Sequence, residues 1–345
     1  MPQLTSVTGL TAEGEVRLAL AGLRARAQEL SRVAEATARV LAAPEGLSTE
    51  VPAFREFARE SVPRWHFAML NDHERNDALA TALERVVPQD GTVLDIGAGT
   101  GLLAMMAVRA GARHVYSCET NPLMVEVARQ VVAAEGYADR VTVLPCRSDE
   151  LVVGRDLPRR VDALVSEIVD CGLIGEGILP SVRHARRELL APDGVMLPRR
   201  ARLLGSLLHS ENAMNLNRVG RVGGFDVSRL NVFATPGHFP FRLHTWPHRT
   251  LSDPVELLSF DFTEGPLGPG RRALAIPARE SGTVHAMVAW FELDLGGGVI
   301  LRNSPENVGS HWMQALIPLA EPVEAVAGTT VPLDLVWSET RLSLA

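Results

Sequence analysis

The sequence predicts an α/β domain built on a parallel sheet, preceded by a helical extension and followed by an antiparallel β-barrel domain. Three observations predict this order. A proline-free helical pattern covers residues 12–43, strand- and helix-type segments alternate from about residue 75, and short β-type runs between glycine and proline clusters fill residues 198–345. Alternating segments favour a parallel sheet covered on both faces, whereas short separated runs favour an antiparallel one. We expect the three parts at residues 1–50, 51–197 and 198–345.

The predicted elements of the α/β domain follow one another in a regular order. Strands are predicted at Thr92–Ile96, His114–Cys118, Val141–Leu144 and Val161–Ser166, and helices at 102–110, 122–135 and 178–190. After the turn Pro192-Asp193-Gly194, β-type runs are predicted at 202–208, 284–293 and Thr330–Trp337. Because the character of the chain changes there, we place the domain boundary near Pro198.

The predicted N-terminal helix carries a stripe of apolar and small residues along one face. The members of the stripe are Val16, Leu20, Leu23, Ala27, Leu30, Ala34, Thr37 and Leu41. They recur at alternating steps of four and three, a heptad-like spacing that suits packing against another helix. The same stripe would suit a helix lying on its own domain, and the sequence leaves both arrangements open.

The composition predicts a globular protein of the cytoplasm. Of 345 residues, 46% are hydrophobic and 22% are charged, and no run of 18 apolar residues occurs. The N-terminus lacks the basic and apolar stretches of a signal peptide. The net charge of −7 argues against a nucleic-acid partner. Three cysteines without zinc-like spacing are expected to be reduced thiols, and no metal site is predicted.

A glycine-rich turn follows the first predicted strand. Strand and turn read VLDIGAGTG at residues 93–101, and the second strand is followed by Glu119. Glycines allow a tight turn and a close approach to a ligand, and an acid at that second position can bind both hydroxyls of a ribose. The dinucleotide fingerprint G-x-G-x-x-G does not fit, because Leu102 occupies its last glycine position. The pattern therefore predicts a nucleoside-containing ligand.

Two glutamates lie in the loop after the fourth predicted strand. The segment SEIVDCGLIGEG at residues 166–177 places Glu167 and Glu176 in apolar, glycine-rich surroundings. Loops at the carboxyl ends of parallel strands form the ligand crevice, and two carboxylates there can grip a planar guanidinium from two sides. The alternative interpretation is that the glutamates cap a helix.

Together these motifs resemble those of the protein arginine methyltransferases, a class I methyltransferase family with a Rossmann-like cofactor domain and a β-barrel domain. Three further segments are similar to family motifs: WHFAMLNDHERN at 65–76 to the cofactor lid, GSHWMQ at 309–314 to the Thr-His-Trp loop, and Leu197-Pro198 to the junction where the proline is commonly cis. The resemblance covers about residues 54–345. It implies S-adenosyl-L-methionine as cofactor.

Within the family the chain resembles the monomethylating, type III branch. The segments IGEG at 174–177, HWMQ at 311–314 and LSFDF at 258–262 match it, and Glu60 stands where the dimethylating branches usually have a tyrosine. That branch commonly carries two tandem modules, and this chain has one. The resemblance therefore implies pairing with a second chain, through a barrel arm expected at about 209–245.

The resemblance implies a role for each matching residue. For the cofactor, it implies Arg75 at the carboxylate, Asp95, Gly97 and Gly99 around the methionine part, Glu119 at the ribose, Ser148 and Asp149 at the adenine, Phe57 as its lid and Met69 near the methyl group. For the substrate, it implies Glu167 and Glu176 at the guanidinium, Trp312 along the stem, and Asp170 and Glu60 as additional carboxylates. Asp72 and His311 match a dyad that relays the departing proton.

Simpler roles remain open for several of these residues. Met69 and Phe57 also suit core positions on helices, and Asp170 also suits a turn. His311 can orient its loop through Asp72 without taking a proton.

These observations predict methyl transfer to the terminal guanidino nitrogen of arginine. All 34 basic residues are arginine, which favours a bacterial gene of high GC content. With a single module, it also favours free L-arginine as the acceptor, in natural-product biosynthesis. An arginine in a peptide or protein is the alternative acceptor. An inactive cofactor-binding scaffold would be expected to lack one of the glutamates, and carbon or oxygen methylation of another metabolite would leave both unexplained.

Overall fold

The computed structural model describes residues 12–41 and 58–345, which fall into two compact units. The smaller unit comprises Met1–Arg64 and Asn217–Ala234, and the larger one comprises Trp65–Leu216 and Thr235–Ala345. The predicted boundary near Pro198 therefore lies inside the larger unit. The peptide bond between Leu197 and Pro198 is cis, as the resemblance implies.

The first part of the larger unit is the predicted α/β domain. Its elements are α2 (Trp65–Leu70), α3 (His73–Val86), β1 (Thr92–Ile96), α4 (Leu102–Arg109), β2 (His114–Cys118), α5 (Pro122–Ala134), β3 (Val141–Leu144), the 3₁₀ turn Ser148–Glu150, β4 (Val161–Ser166), α6 (Ile178–Glu188) and β5 (Leu190–Leu197). The parallel sheet has the strand order β3-β2-β1-β4-β5. The order reverses between β1 and β4, and ligands of such sheets bind at the carboxyl ends of the strands beside that point.

Strand β5 was missed in the sequence. The segment contains Pro192-Asp193-Gly194, which is a turn signal, so the prediction of a helix continuing to Leu190 and then a turn was wrong there. In the structure the register with β4 shifts between Val161 and Ala163, and Leu190 and Val195 pair with those two residues. The turn residues thus form an irregularity inside a strand. Pairing along the open edge of β4 outweighs the local turn preference.

The second part of the larger unit is antiparallel, as predicted. Its strands are β6 (Arg200–His209), β9 (Phe239–Phe241), β10 (Arg249–Thr250), β11 (Val255–Asp261), β12 (Gly270–Pro277), β13 (Gly282–Gly296), β14 (Val299–Arg302), β15 (Gln314–Ala325), β16 (Thr330–Trp337) and β17 (Leu342–Leu344), with α7 (Glu211–Asn215) and the 3₁₀ turn Leu243–Thr245. They form a seven-stranded sheet around β6, β13 and β15 and a three-stranded sheet β12-β16-β17.

One apolar core extends through both parts of the larger unit. It includes the fully buried Leu94 and Leu164 of the parallel sheet and Phe291 and Leu335 of the antiparallel sheets. A smaller cluster that includes Phe241 and Trp290 fills one end of the antiparallel part. Continuous burial of this kind fixes the two parts against each other, and it positions loops from both around one crevice.

The smaller unit contains the predicted N-terminal helix. Helix α1 (Ala12–Leu41) is followed by one helical turn at 58–61, and the second segment holds the hairpin β7 (Arg221–Val222) and β8 (Phe225–Asp226) and the 3₁₀ turn Ser228–Phe233. The stripe residues Val16, Leu20, Leu23 and Leu30 are exposed. None of the helices in the described part of the chain combines the length and apolar composition needed to cross a membrane.

Candidate active site

Helix α3 places an arginine on its buried face. Arg75, Leu79, Ala82 and Leu83 are its buried residues and recur at helical spacing, so Arg75 begins the stripe that packs into the core. Asp72 caps the helix by accepting a hydrogen bond from the Arg75 backbone amide at 3.0 Å. The Arg75 side chain is 4% exposed. A charge buried this deeply requires a partner.

Glu167, the first residue after β4, is that partner. Arg75 Nε donates to Glu167 Oε2 at 2.9 Å, Nη2 donates to the same oxygen, and the Glu167 side chain is also 4% exposed. Arg75 Nη1 donates to Asn76 Oδ1 at 2.8 Å. Burial raises the pKa of Glu167, and the charge of Arg75 opposes this rise. Within residues 12–41 and 58–345 no group donates to Oε1 of Glu167, which leaves that oxygen available to a ligand.

Glu176 lies at the end of the same loop in a different setting. It stands between Gly175 and Gly177, and Gly177 precedes α6 with φ of 85°. The residue as a whole is exposed, whereas its carboxyl group is partly desolvated by the protein. Crowding by protein atoms and the negative charges of Glu167 and Asp170 raise the pKa of Glu176 to about 7. A cation placed between the two glutamates would relieve this repulsion.

Asp72 connects the antiparallel part to the start of α3. Besides capping the helix, its Oδ2 accepts from the backbone amide and from Nδ1 of His311, both at 2.9 Å. Although burial acts to raise the pKa of Asp72, the hydrogen bonds from the amides of His311 and Arg75 lower it overall. Burial lowers the pKa of His311, although Asp72 opposes this. His311 is therefore neutral near pH 7, with its proton on Nδ1 and Nε2 as an acceptor.

Trp312 ties the same segment to the two-glutamate loop, residues 167–176. Its indole Nε1 donates to the carbonyl of Val169 at 3.0 Å. The ring lies 3.9 Å from the His311 ring and edge-on to Phe291 at 5.1 Å, centre to centre, and the guanidinium carbon of Arg75 lies 5.9 Å from its centre. Trp312 is buried and so fixes the neighbouring side chains by packing.

Asp95, at the end of β1, presents an oxygen without a partner. It is 1% exposed, and its Oδ2 accepts from Ser117 Oγ at 2.6 Å, while Oδ1 has no hydrogen-bond partner among the described residues. Burial raises the pKa of Asp95 to about 7; the Ser117 bond opposes this, and the charges of Glu119 and Glu167 add to it. An unsatisfied buried carboxylate is costly, so this oxygen indicates a place for a donor from a ligand.

The glycine turn and Glu119 form one structure beside Asp95. Gly97 and Gly99 have φ of 94° and 53°, and among the described residues no atom beyond the neighbours of Gly99 in the chain lies within 4 Å of the place where its Cβ would stand. The Gly99 amide donates to Glu119 Oε2 at 3.1 Å, and the amide of Asn121 donates to Oε1 at 2.8 Å. Glu119 thus holds the turn in place. A carboxylate has about four lone-pair positions, so it can accept ribose hydroxyls as well.

The predicted adenine contacts lie on the 3₁₀ turn after β3. Ser148 is buried, whereas the carboxylate of Asp149 is paired with Arg147 at 2.9 and 3.0 Å. The contact of Asp149 with adenine therefore stays a prediction.

Comparisons with known proteins agree with this arrangement. The family model for ribosomal protein L11 methyltransferase (PrmA) matches residues 72–184, and that for the arginine methyltransferase oligomerization subdomain matches residues 211–342. An arginine N(omega)-methyltransferase of Streptomyces achromogenes subsp. streptozoticus is 55% identical over 330 residues, which are 95% of this chain and 91% of that protein. The chain belongs to the arginine methyltransferase family.

Some curated relatives in the family are longer than this chain. Protein arginine N-methyltransferase 7 of Drosophila erecta is 32% identical over 319 residues, which cover 79% of this chain and 46% of the relative. Among solved structures, the Trypanosoma brucei PRMT1 enzyme-prozyme heterotetrameric complex with AdoHcy has a TM-score of 0.69 and 26% identity, over 79% of this chain and 86% of its own. The family and fold predicted from the motifs are confirmed.

Several of the predicted site residues of this family member lie close together. Arg75, Asp95 and Glu167 interact electrostatically, and Trp312 and the Asp72–His311 pair adjoin Arg75. Met69 is half-buried at the end of α2, and its carbonyl accepts from the Asp72 amide. Phe57 lies outside the described residues. Glu60 is exposed in the smaller unit, so its role stays a prediction.

Asp170 holds the two-glutamate loop through both of its carboxylate oxygens. Its Oδ1 accepts from the amides of Gly172 at 3.2 Å and Gly175 at 2.8 Å, and its Oδ2 accepts from Nε2 of His238 at 2.6 Å. Both oxygens thus accept hydrogen bonds from the loop and the antiparallel part, and a contact of Asp170 with the substrate stays a prediction. The alternative interpretation of Asp170 as a turn residue agrees with these contacts.

Two residues that hold the loop were missed in the sequence. Asn303 is fully buried, and its Nδ2 donates to the carbonyls of Cys171 at 3.3 Å and Met313 at 2.9 Å. His238 bonds Asp170 from 68 positions away. Neither residue lies in a local motif, so only knowledge of the tertiary pairing could have indicated them.

Proposed function

We propose that this protein transfers a methyl group from S-adenosyl-L-methionine to a terminal guanidino nitrogen of free L-arginine, giving N-omega-methyl-L-arginine. The observation that carries the proposal is the pair of carboxylates in the loop after β4. Glu167 is buried with one oxygen free of donors among the described residues, and Glu176 carries no hydrogen bond from them and has its pKa raised to about 7. Such a pair is suited to a planar cation that donates from both edges.

The two carboxylates supply the chemistry that the guanidinium lacks. Arginine has a pKa above about 12, so its guanidinium is a weak nucleophile. Glu167 and Glu176 hold the N–H groups on one side, draw positive charge towards them, and leave the opposite nitrogen with more lone-pair character. Holding that nitrogen in position can contribute about 7–11 kcal/mol to lowering the barrier in well-oriented systems.

The crevice beside β1 fits the cofactor. Asp95 Oδ1 lacks a donor within the described chain, the turn at Gly99 leaves open space, and Glu119 can accept the ribose hydroxyls. The resemblance implies Arg75 at the cofactor's carboxylate, and Glu167 engages two of its nitrogens in this structure. S-adenosyl-L-methionine, when bound, supplies an electrophilic methyl group on a sulfonium. The carboxylates around the crevice suit that positive charge.

Methylation of a guanidinium releases one proton, which His311 accepts in this proposal. The Asp72 bond fixes the proton of His311 on Nδ1, so that Nε2 is the basic nitrogen. The same bond orients the loop that carries Trp312. We propose that His311 does both.

A single methylation is the product that the type III resemblance supports. Both glutamates bind through N–H groups, and a methylated nitrogen has one N–H fewer. Turning it for a second transfer would leave a buried acceptor unsatisfied, which costs about 1–3 kcal/mol.

The choice of free arginine is supported by the names of the relatives. The chain covers 91% of a protein named arginine N(omega)-methyltransferase, from a Streptomyces species, but 46% of a protein arginine N-methyltransferase. We propose a role in natural-product biosynthesis, which the single module and the bacterial composition favour. Its three free cysteines suit the reducing cytoplasm. We also propose a homodimer, because residues 211–342 match the oligomerization subdomain.

The test is a reaction with methyl-labelled S-adenosyl-L-methionine, analysed by mass spectrometry, with free L-arginine and an arginine-containing peptide in separate arms. Monomethylarginine from the free amino acid is expected. Dimethylarginine as the main product would contradict single methylation. Turnover of the peptide alone would favour the peptide acceptor, and label in neither arm would contradict arginine methylation.

A further inference from the structure

The two-glutamate loop holds a strained backbone between its two carboxylates. Leu173 has φ of 78°, a left-handed conformation that is unfavourable for a residue with a branched side chain, and it is fully buried. The loop therefore does not adopt this shape by its own preference. Contacts from outside must hold the backbone between Glu167 and Glu176 in this shape.

The carboxylate of Asp170 accepts hydrogen bonds from two backbone amides of the loop. It accepts from the amides of Gly172 and Gly175, which lie on either side of Leu173 in the chain. A Cβ added to Gly175 would approach an Asp170 carboxylate oxygen to 2.2 Å, so the close contact needs a glycine there. Asp170 thus closes the strained turn and fixes the backbone next to Glu176.

His238 holds Asp170 from the antiparallel part. Its Nε2 meets Asp170 Oδ2 at 2.6 Å, and its Nδ1 accepts from the backbone amide of Leu342 at 3.1 Å. The bond to Nδ1 fixes the proton on Nε2, so the ring donates to the carboxylate. The ring also fits against Gly172, where an added Cβ would approach it to 2.4 Å. The His238 side chain is 5% exposed.

The same atoms do not suit a metal ion. Asp170, Cys171 and His238 offer ligand atoms within 4.8 Å of one another. A metal on His238 Nε2 would move the ring proton to Nδ1, against the N–H of Leu342. Burial and the charge of Asp170 also raise the pKa of the Cys171 thiol well above its usual value, which disfavours the thiolate that a metal requires.

We infer that His238 is a positioning residue for the proposed reaction: through Asp170 it sets the curvature of the two-glutamate loop and hence the placement of Glu176. The inference rests on the proposed function for its catalytic consequence. In the described chain, the side chain of His238 forms hydrogen bonds with Asp170 and Leu342 and with no residue of the predicted cofactor site. Cofactor binding should therefore not depend on His238.

The substitutions that test this differ in hydrogen-bonding direction. His238→Gln keeps a donor near the Nε2 position, whereas His238→Ala removes it. Asp170→Asn keeps an acceptor for the loop amides but turns an N–H donor towards His238 Nε2. That nitrogen cannot accept, because the bond from the Leu342 amide to Nδ1 keeps the ring proton on Nε2. In the double variant Asp170→Asn/His238→Gln the glutamine oxygen can accept from the asparagine, which restores the contact with the loop although the bond from the Leu342 amide is lost. His244→Ala, at an exposed histidine of the same part of the chain, is the matched control.

The kinetic readout separates positioning from general damage. For His238→Ala and Asp170→Asn we expect kcat/KM for arginine to fall at least about 30-fold, while the calorimetric Kd for S-adenosylhomocysteine changes less than about twofold. His238→Gln and the double variant are expected within about fivefold of the parent. If His238→Ala retains parental kcat/KM, or the double variant is no better than Asp170→Asn, the inference is wrong.

Amide hydrogen exchange tests the loop without relying on turnover. Exchange at Gly172 and Gly175 should accelerate at least about tenfold in His238→Ala and Asp170→Asn and stay unchanged in His238→Gln and His244→Ala. Unchanged protection in His238→Ala would overturn the inference. If the parent methylates no arginine, the proposed function fails, and the exchange result alone then decides whether His238 positions the loop.

Discussion

Glu167 and Glu176 carry the same functional group in opposite settings. Glu167 is buried and already paired with Arg75, whereas Glu176 is exposed, has no hydrogen bond from the described residues, and has a pKa raised to about 7. Glu167 is therefore part of the folded core, whereas the carboxylate of Glu176 is available to a ligand. Substitutions at the two positions should have different consequences for stability.

Glu176→Gln should reduce kcat/KM for arginine by at least about 100-fold, since the guanidinium loses a charged partner and meets an amide donor. Its free energy of unfolding should not decrease, because the charge removed is one that its surroundings disfavour. Glu167→Gln should lose turnover and also destabilise the protein, by about 3–5 kcal/mol, because Arg75 is left buried without its partner.

Steady-state kinetics and denaturant unfolding measure both effects. Glu84→Gln, an exposed position on α3, is the control and should match the parent in both. Turnover of Glu176→Gln within threefold of the parent would contradict the role of this carboxylate. Equal stability of Glu167→Gln and the parent would contradict the structural importance of the Arg75 pair.

The raised pKa of Glu176 predicts a pH dependence. As the pH falls through about 7, the carboxylate takes up a proton and can no longer pair with the guanidinium. At saturating cofactor, kcat/KM for arginine should therefore fall below pH 7, approaching about tenfold per pH unit, and level off above it. His311→Asn should keep this acidic limb. A flat profile between pH 6 and 8 would show that Glu176 is ionised throughout that range.

At the scale of elements, the turn after β1 depends on a residue from the neighbouring strand end. Glu119 accepts from the amides of Gly99 and Asn121, in addition to its predicted ribose contacts. Each hydrogen bond contributes about 1 kcal/mol, so Glu119→Ala should raise the Kd of S-adenosylhomocysteine at least about tenfold. Glu126→Ala, on the exposed side of α5, should leave it unchanged. Calorimetry with both variants measures these affinities. An unchanged Kd in Glu119→Ala would contradict the placement of the cofactor beside Glu119.

The elements that the sequence predicted share a property that β5 lacks. Strands β1 and β4 are mostly apolar and are buried at nearly every position, and the helices between them have helical spacing. Strand β5 contains a proline, an aspartate and a glycine, and it exists because β4 offers an edge to pair with. Its local signal is that of a turn, so only the assembled sheet identifies it.

The site was predictable to the extent that its residues lie in local motifs. The glycine turn, the two glutamates and the Asp72–His311 pair were found in this way, and the structure places Asp72 and His311 in direct contact. The pairing of Arg75 with Glu167, and the hold of His238 and Asn303 on the loop, depend on contacts between distant segments. Their residue types carry no signal of the partner, so the sequence could not assign them.

At the scale of the whole molecule, we predict a dimer through the segment Asn217–Ala234. This segment exposes Phe225 at 75% and Phe233 at 68%, and large exposed aromatic residues are typical of interfaces. Phe225→Ser with Phe233→Ser should convert a dimer to a monomer in light scattering at micromolar concentration.

Two comparisons complete this test. Leu23→Glu with Leu30→Glu on α1 tests the alternative contact, and Val326→Ser is the control at an exposed apolar position elsewhere. Dissociation by the α1 variant alone would assign the interface to the N-terminal helix. A monomeric parent would contradict the dimer altogether.

The most direct test of the central claim is the binding of L-arginine and L-citrulline in the presence of S-adenosylhomocysteine. Citrulline has the shape of arginine but a neutral urea in place of the guanidinium, so it cannot pair with two carboxylates. Calorimetry at pH 8 should find citrulline at least about 100-fold weaker than arginine for the parent, a difference of about 2.7 kcal/mol, and this difference should shrink in Glu176→Gln. Equal affinities of the parent for both amino acids would contradict recognition of a guanidinium by Glu167 and Glu176.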